Sequence, residues 1–436
     1  MSKPNDARRV SPGRWIVALL VAGAVQTGGA HARGDEPVRL SVSDALSRAV
    51  SAHPELDAQA AEIEAREGEA RQAGLWSNPS IELEADEIGG DRGGLGDGET
   101  TVFLRQTIPF GGDRSRARNA GLAATRVAQQ TLRQRRLDLL ARTATAFVEA
   151  DAAQDRAEVR QELLDLAREA ADAISARVEA GRASPIENNR ARVLLETARS
   201  AATRARLEAN AATGELAAIL GAPGLEASLG HPQPLFGFNF SEETPQGAIE
   251  ANARLAVQQA EIARRAAVLR AERAGAIPDV TVGAGMRRFG ASDETAYLAS
   301  IEIPIPVFDR NQGNIAAAAA RETVSLLEAD ALRRELMREF ALNYGRWRRA
   351  GEHYESLRTQ ILPASREAYE ASREAYREGE LDLLNLLDVQ REYFDSRIAL
   401  IDARSRFAAS AIDLDLVTGG RRLVALLEGA PMEDIQ

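Results

Sequence analysis

Cysteine is absent from the 436 residues. That excludes a disulfide framework, thiolate metal sites, a cysteine nucleophile and a lipid anchor on an N-terminal cysteine. Histidine is scarce too: beyond residue 32 only His53, His231 and His353 remain, scattered and without motif partners. No HExxH, GxSxG or paired-carboxylate spacing occurs, so the chain does not read as an enzyme. Past the initiator the methionines are Met286, Met337 and Met432, with no histidine cluster beside them, so neither a metal site nor a cofactor is expected. Aromatic residues make up only 5%. Ala, Leu, Arg and Glu dominate instead, which favours helices packed through small side chains over a thick globular core. A net charge of −11 without a basic stripe argues against a nucleic-acid partner.

Long hydrophobic runs are missing, with one exception at the N-terminus. Residues 16–25 (IVALLVAGAV) follow Arg8, Arg9 and Arg14, and Ala30-His31-Ala32 supplies a small-x-small cleavage site, so 1–32 reads as a secretory signal peptide. An apolar run of that length falls well short of the roughly 20 residues a spanning helix needs. The Arg8-Arg9 pair points only weakly to twin-arginine export, because the apolar residues that should follow it are missing. Cleavage would remove four basic side chains (Lys3, Arg8, Arg9, Arg14) and one acidic one (Asp6), taking the charge from −11 to −14. The expectation is an exported protein that is not a helical membrane protein.

What the chain does contain is itself, twice. Ala49-Val50, Ala52, Leu56 and Pro79 recur as Ala248-Ile249, Ala251, Leu255 and Pro278, each pair 199 positions apart. Gly181 and Gly379 correspond at 198, as do Leu216-Ala217 with Gly221 and Leu414-Asp415 with Gly419. The expected organisation is a first repeat over 40–225, a Pro/Gly-rich linker over 226–244, a second repeat over 245–425 and a tail over 426–436. Each repeat opens with a helix (about 41–75, then 244–275). A strand hairpin follows (79–109, then 278–306), and then a long helical hairpin (112–221, then 310–419). The polar turns GGDRGGLGDG (89–98) and FGASDE (289–294) lack the Lys-Ser/Thr and the following helix of a P-loop, so they read as hairpin loops.

Residues 78–86, NPSIELEAD, switch to strict alternation, the period of a strand with an apolar and an acidic face. Ile81, Leu83 and Ala85 share one face, as do Val280, Val282 and Ala284, and Tyr297, Ala299, Ile301 and Ile303. Glu82, Glu84, Asp86, Asp279, Thr281 and Glu302 take the other. Four strands of about ten residues have the length of tilted membrane strands. The same alternation suits two half-buried hairpins on a soluble core, and on this pattern alone the two readings stand equal.

The helices carry apolar residues at coiled-coil spacing. One seam runs through Val159, Leu163, Leu166, Ala170 and Ala173; its counterpart runs through Tyr354, Leu357, Ile361, Ala364, Ala368, Ala371 and Ala375. The returning arms continue through Ala191, Leu194, Ala198, Ala201 and Ala205, and through Leu384, Leu387, Phe394, Ile398 and Ile401. A continuous helix over 112–180 would be about 100 Å long at ~1.5 Å per residue, too long for a compact domain. Pro363 predicts a kink in its counterpart.

Together these features resemble the TolC family of outer-membrane efflux ducts over 40–425. The resemblance rests on AVSAHPELDAQAAEIEAREGEARQAGLWSNPSIELE, QTIPFGGDRSRAR, the turns RVEAGRASPIENNRAR and YREGELDLLNLLDVQREYF, and the closing LDLVTG. QTIPFGGDR and IPIPVFDRNQGN are most similar to the heavy-metal (cobalt–zinc–cadmium) subgroup. The resemblance implies a mainly α chain with a transmembrane β part, two tandem repeats of long antiparallel coiled-coil helices, and four strands. It further implies a homotrimer that closes a twelve-stranded barrel in the outer-membrane lipid of a Gram-negative bacterium, above a periplasmic helical tunnel. Such a duct is a passive exit, joined by a periplasmic adaptor protein to an inner-membrane RND-type pump.

By the same resemblance Gly181, Arg182, Ala183, Ser184, Gly379, Glu380 and Leu381 match adaptor-facing tip positions. Asn385 and Asp388 match acidic residues that ring the closed aperture, with Glu187 as the first-repeat counterpart; Asn385 departs from the usual Asp. Glu82, Glu84, Asp86, Asp279 and Glu302 would line the barrel lumen. The competing reading is a soluble periplasmic coiled-coil scaffold without a barrel, which needs only the helices.

Overall fold

The computed structural model describes residues 39–51, 53–87, 98–224, 228–241, 245–290 and 292–429. The signal-peptide reading of 1–32 and nearly all of the loop 89–98 lie outside the described residues. The first half comprises α1 (Val42–Ser51), α2 (Pro54–Ala73), β1 (Ser80–Asp86), β2 (Glu99–Ile108), α3 (Asp113–Glu179) and α4 (Pro185–Ile219). After the short α5 (Gln233–Phe236) come α6 (Pro245–Glu250), α7 (Ala253–Ala274), β3 (Val280–Phe289) and β4 (Glu294–Glu302). The chain closes with α8 (Gln312–Ser356), a π-helical turn (Leu357–Ile361), α9 (Leu362–Glu378), α10 (Leu383–Val417) and α11 (Arg421–Glu428). No helix among the described residues is long and apolar enough to cross a membrane.

The two opening helices expected to be continuous are both broken, at matching places. Nδ1 of His53 accepts the Glu55 backbone N–H at 3.3 Å, and Asn252 accepts that of Arg254 at 2.8 Å, so each residue caps a new helix start. Pro54 reinforces the first break, since it has no N–H to continue the preceding helix.

The four strands form one antiparallel sheet in the order β1-β2-β3-β4, with the two repeats joined through β2 and β3. β1 and β4 are its edges. β3 extends beyond the expected Ala284 to Phe289, and Asp279 lies one residue before its start.

α3 is a single helix of 67 residues, about 100 Å at ~1.5 Å per residue, because its interior holds no proline and only one glycine. The predicted kink at Pro363 takes the form of the π turn. Leu362 donates its N–H to the carbonyl of Leu357, an i→i−5 bond, where the proline ring and its missing N–H prevent regular bonding.

The seams need correction. Val159, Leu163 and Leu166 of α3 face α10, packing on Phe394, Ile398 and Ile401, rather than the adjacent α4. The α3–α4 contact uses a stripe one residue over: Leu164, Ala167, Ala171 and Ile174 against Ala191, Leu195, Ala198 and Ala202. α3 thus lies between two helices and needs two seams, whereas a single 3.5-residue period reveals one. Along the π turn and α9 the expected seam is buried only at Leu357, and Ile361, Ala364, Ala368 and Ala371 are exposed.

The principal core sits at mid-length of α3. Leu140 and Phe147 meet Leu216, Leu235, Ile249, Leu255, Leu336 and Ile412 there. The linker docks through its phenylalanines: Phe236 stacks on Tyr354 at 5.9 Å, and Phe240 meets Trp347 edge-on at 5.3 Å. Leu423 and Leu426 of α11 join the same core, so the fold continues into the segment expected to be a tail. Asp415, fully buried in LDLVTG, anchors that helix by accepting the backbone N–H groups of Arg422 (3.2 Å) and Leu423 (3.0 Å).

Candidate functional site

Residues paired across neighbouring strands point to the same side of a sheet. Ile81 and Leu83 of β1 oppose Leu104 and Val102 of β2, which lie level with Ala284 and Met286 of β3, and these with Ala299 and Tyr297 of β4. That apolar face is bare: Ile81 is 73% exposed, Leu83 72% and Tyr297 87%. The sheet does not rest its apolar face on a soluble core.

The opposite face carries Glu82, Glu84, Asp86, Glu99, Glu294 and Glu302 against two guanidiniums, Arg105 and Arg287. Arg105 forms an ion pair with Glu82 at 2.5 Å and reaches across β3 to Glu302 at 3.7 Å, while Arg287 bonds Glu99 at 2.9 Å. Glu84 and Asp86 make no ion pair among the described residues. The structure places Glu82, Glu84, Asp86 and Glu302 on one face, with Asp279 just outside the strand.

At the far end of the helices the two turns are built alike. Gly181 and Gly379 adopt φ of +68° and +80°, a region closed to most side chains. Each is followed by a Schellman bond, Arg182 N–H to Arg177 C=O at 2.7 Å and Glu380 N–H to Ala375 C=O at 2.8 Å. The next helix is then capped by Ser184, which accepts from Ile186 at 3.2 Å, or by Asp382, which accepts from Leu384 (2.8 Å) and Asn385 (3.0 Å). Arg182 and Glu380 are exposed, while Ala183, Ser184 and Leu381 are half-buried.

Asn385 also donates its side-chain amide to Asp382 at 2.8 Å, so this residue completes the cap of α10. Asp388 is exposed one turn later, 3.6 Å from Arg391. Glu187 is exposed in the first turn of α4, and no hydrogen bond or ion pair joins it to Asn385 or Asp388. Between α4 and α10, on the α3 surface, lies an apolar cleft of about 710 Å³ walled by Leu163, Ile174, Leu194 and Leu387, with Asp388 and Arg391 among its lining.

Sequence reasoning missed a polar cluster at mid-length of α3. Asp151 and Asp155, one turn apart, meet His231 of the linker and Arg404 of α10. Burial pushes the Asp151 carboxyl up, opposed by the neighbouring Arg404. His231 lies 80 positions from Asp151, and the docking of the linker brings the two together.

Over residues 45–222 and 244–420 the sequence matches the family described as Outer membrane efflux protein, one match per half. The chain belongs to the outer membrane efflux protein family. It is similar to the cobalt-zinc-cadmium resistance protein CzcC of Cupriavidus metallidurans, 29% identical across 87% of this chain and 90% of the relative. It is 31% identical to the nickel-cobalt-cadmium resistance protein NccC of Alcaligenes xylosoxydans xylosoxydans, across 76% of each. Among solved structures, CusC superposes with a TM-score of 0.73 at 18% identity, covering 88% of this chain and 93% of that one. This member of the outer membrane efflux protein family is the outer-membrane channel component of an RND-type tripartite efflux system, related to the heavy-metal subgroup. It is a passive conduit and not an enzyme.

Proposed function

We propose that three copies of this chain close a twelve-stranded barrel whose acidic lumen passes divalent metal cations to the exterior. The sheet carries this reading: it is apolar and bare on one side, acidic on the other, and open along β1 and β4. An open edge is not tolerated in lipid, and four strands cannot close on themselves, so joining β4 of one copy to β1 of the next satisfies both edges. The helices are consistent with the same closure. α4 presents exposed Ile186, Val193 and Leu207, and the π turn with α9 presents exposed Ile361, Ala364, Ala368 and Ala371, leaving an apolar stripe on each flank.

Six carboxylates against two guanidiniums leave an excess of four negative charges on the inner face of each chain, which favours cations over anions. In this reading Glu82, Glu84, Asp86, Asp279 and Glu302 line the lumen. The tips around Gly181 and Gly379 receive the periplasmic adaptor, which links the duct to the inner-membrane pump. Asp388, tripled by symmetry, rings the inner aperture with Asn385 and Glu187 nearby. Metal cargo is supported by the resistances for which CzcC and NccC are named.

A susceptibility panel on a deletion strain tests the cargo. The deletion should sensitise cells to cobalt, zinc or cadmium salts, and the intact gene should restore tolerance. Sensitisation to organic compounds with unchanged metal tolerance would overturn the metal reading.

A further inference from the structure

We propose that Asp151, Asp155 and His231 form a binding site for a divalent transition-metal ion, which displaces the guanidinium of Arg404 when it binds. Nδ1 of His231 lies 3.0 Å from Oδ1 of Asp151 and 4.0 Å from Oδ2 of Asp155. All three donor atoms fall within 4.8 Å of one another. An ion bonding N and O ligands at about 2.0–2.2 Å holds them roughly 3–4 Å apart, so small side-chain rotations complete the set. One imidazole and two carboxylates, with no sulfur, suit zinc, cobalt or nickel rather than a soft monovalent ion. Three protein ligands leave a position for water.

Charge gives the site its second feature. Asp151 is almost fully buried, and two carboxylates one helical turn apart need a nearby cation to stay ionised. Arg404 fills that role, with its Nη2 at 2.6 Å from Asp151 and 2.5 Å from Asp155. With a neutral imidazole this arrangement keeps one negative charge, whereas a divalent ion neutralises both carboxylates. The His231 side chain, 46% exposed, forms the entry. Metal binding exchanges an α3–α10 ion pair for a bond between α3 and the linker. It therefore loosens one rung between the two repeats. The inference concerns a resident ion and does not rest on metal being the cargo.

Full-length protein in detergent, stripped with chelator, is titrated with Zn²⁺ by calorimetry and with Co²⁺ by visible absorption. One saturable site per chain is expected. His231→Ala should weaken binding at least about tenfold, in the range seen when a metal site loses a supporting group. Arg404→Leu should strengthen it by a similar factor, because the competing cation is gone; misfolding cannot produce that gain. Absence of saturable binding, unchanged affinity in His231→Ala, or weakened binding in Arg404→Leu would each overturn the site.

Discussion

Arg156 on α3 pairs with Asp402 on α10 at 2.8 Å, a contact between the first repeat and the second. It is one rung of a ladder. Arg160 faces Asp395 at 3.6 Å, Glu162 bonds Arg397, and Asp151 and Asp155 bond Arg404. The α3–α4 contact within the first repeat is instead alanine against leucine. Association between the repeats therefore adds a charge ladder to the apolar seam of Val159 and Leu163 on Phe394 and Ile401, whereas association within the first repeat depends on close apolar packing. Arg156→Asp should destabilise the fold by roughly 1 kcal/mol, and adding Asp402→Arg should recover much of the loss. A double-mutant cycle on thermal unfolding checks this; strictly additive losses would contradict the ladder.

The tip glycines are required for their backbone angle and not for space, since no atom lies within 4 Å of a Cβ added at either position. Gly181→Val and Gly379→Val should each impose about 1–2 kcal/mol of local strain. Both should abolish efflux while membrane-inserted assemblies persist, whereas Gly→Asn, which tolerates positive φ, should retain activity. Transport that survives both valine changes would refute the docking role of the tips.

Asp388 projects into solvent beside Arg391, with no buried partner to hold it. Asp388→Ala should leave stability within about 0.5 kcal/mol of the parent, as exposed substitutions do. It should weaken block by multivalent cations in planar bilayers. An unchanged blocking profile would remove Asp388 from the aperture.

Acid should act on Glu261, whose carboxyl is held below the usual range by its hydrogen bond to Arg264 and by the charge of Arg265. A depressed carboxylate contributes stability that is complete above its unfolded pKa and disappears as pH falls through the folded value. Glu261→Gln should therefore cost about 1 kcal/mol at pH 7, a cost that shrinks as pH falls below the ordinary carboxylate range. Asp415 runs the other way. Burial pushes its carboxyl up, so ionising it costs stability as pH rises from the ordinary aspartate range through the raised value. Thermal melts across pH resolve the two, and an Glu261→Gln curve parallel to the parent at every pH would contradict the first.

Much of this was legible in the residues. Alternation in Ser80–Asp86 gave the strand and its two faces, because a period of two survives any tertiary context that keeps the strand. Gly181 and Gly379, at matching places in the two repeats, marked the turn of each long helical hairpin, where the backbone takes positive φ. The neighbour of each helical stripe was not legible: Leu163 and Leu164 are adjacent in sequence yet serve different partners. Nor was the π turn, where Pro363 announces a disruption without saying which bonds replace the lost one. His231 met Asp151 across 80 positions through linker docking, which no local pattern encodes.

Four strands per chain cannot close on themselves, so a barrel requires a threefold assembly. The direct measurement is the molar mass of the protein extracted from outer membranes in mild detergent, by light scattering with the detergent contribution subtracted. Three chains per particle are expected, recovered only from the outer-membrane fraction. A monomer, or protein released to the soluble periplasm without detergent, would contradict it.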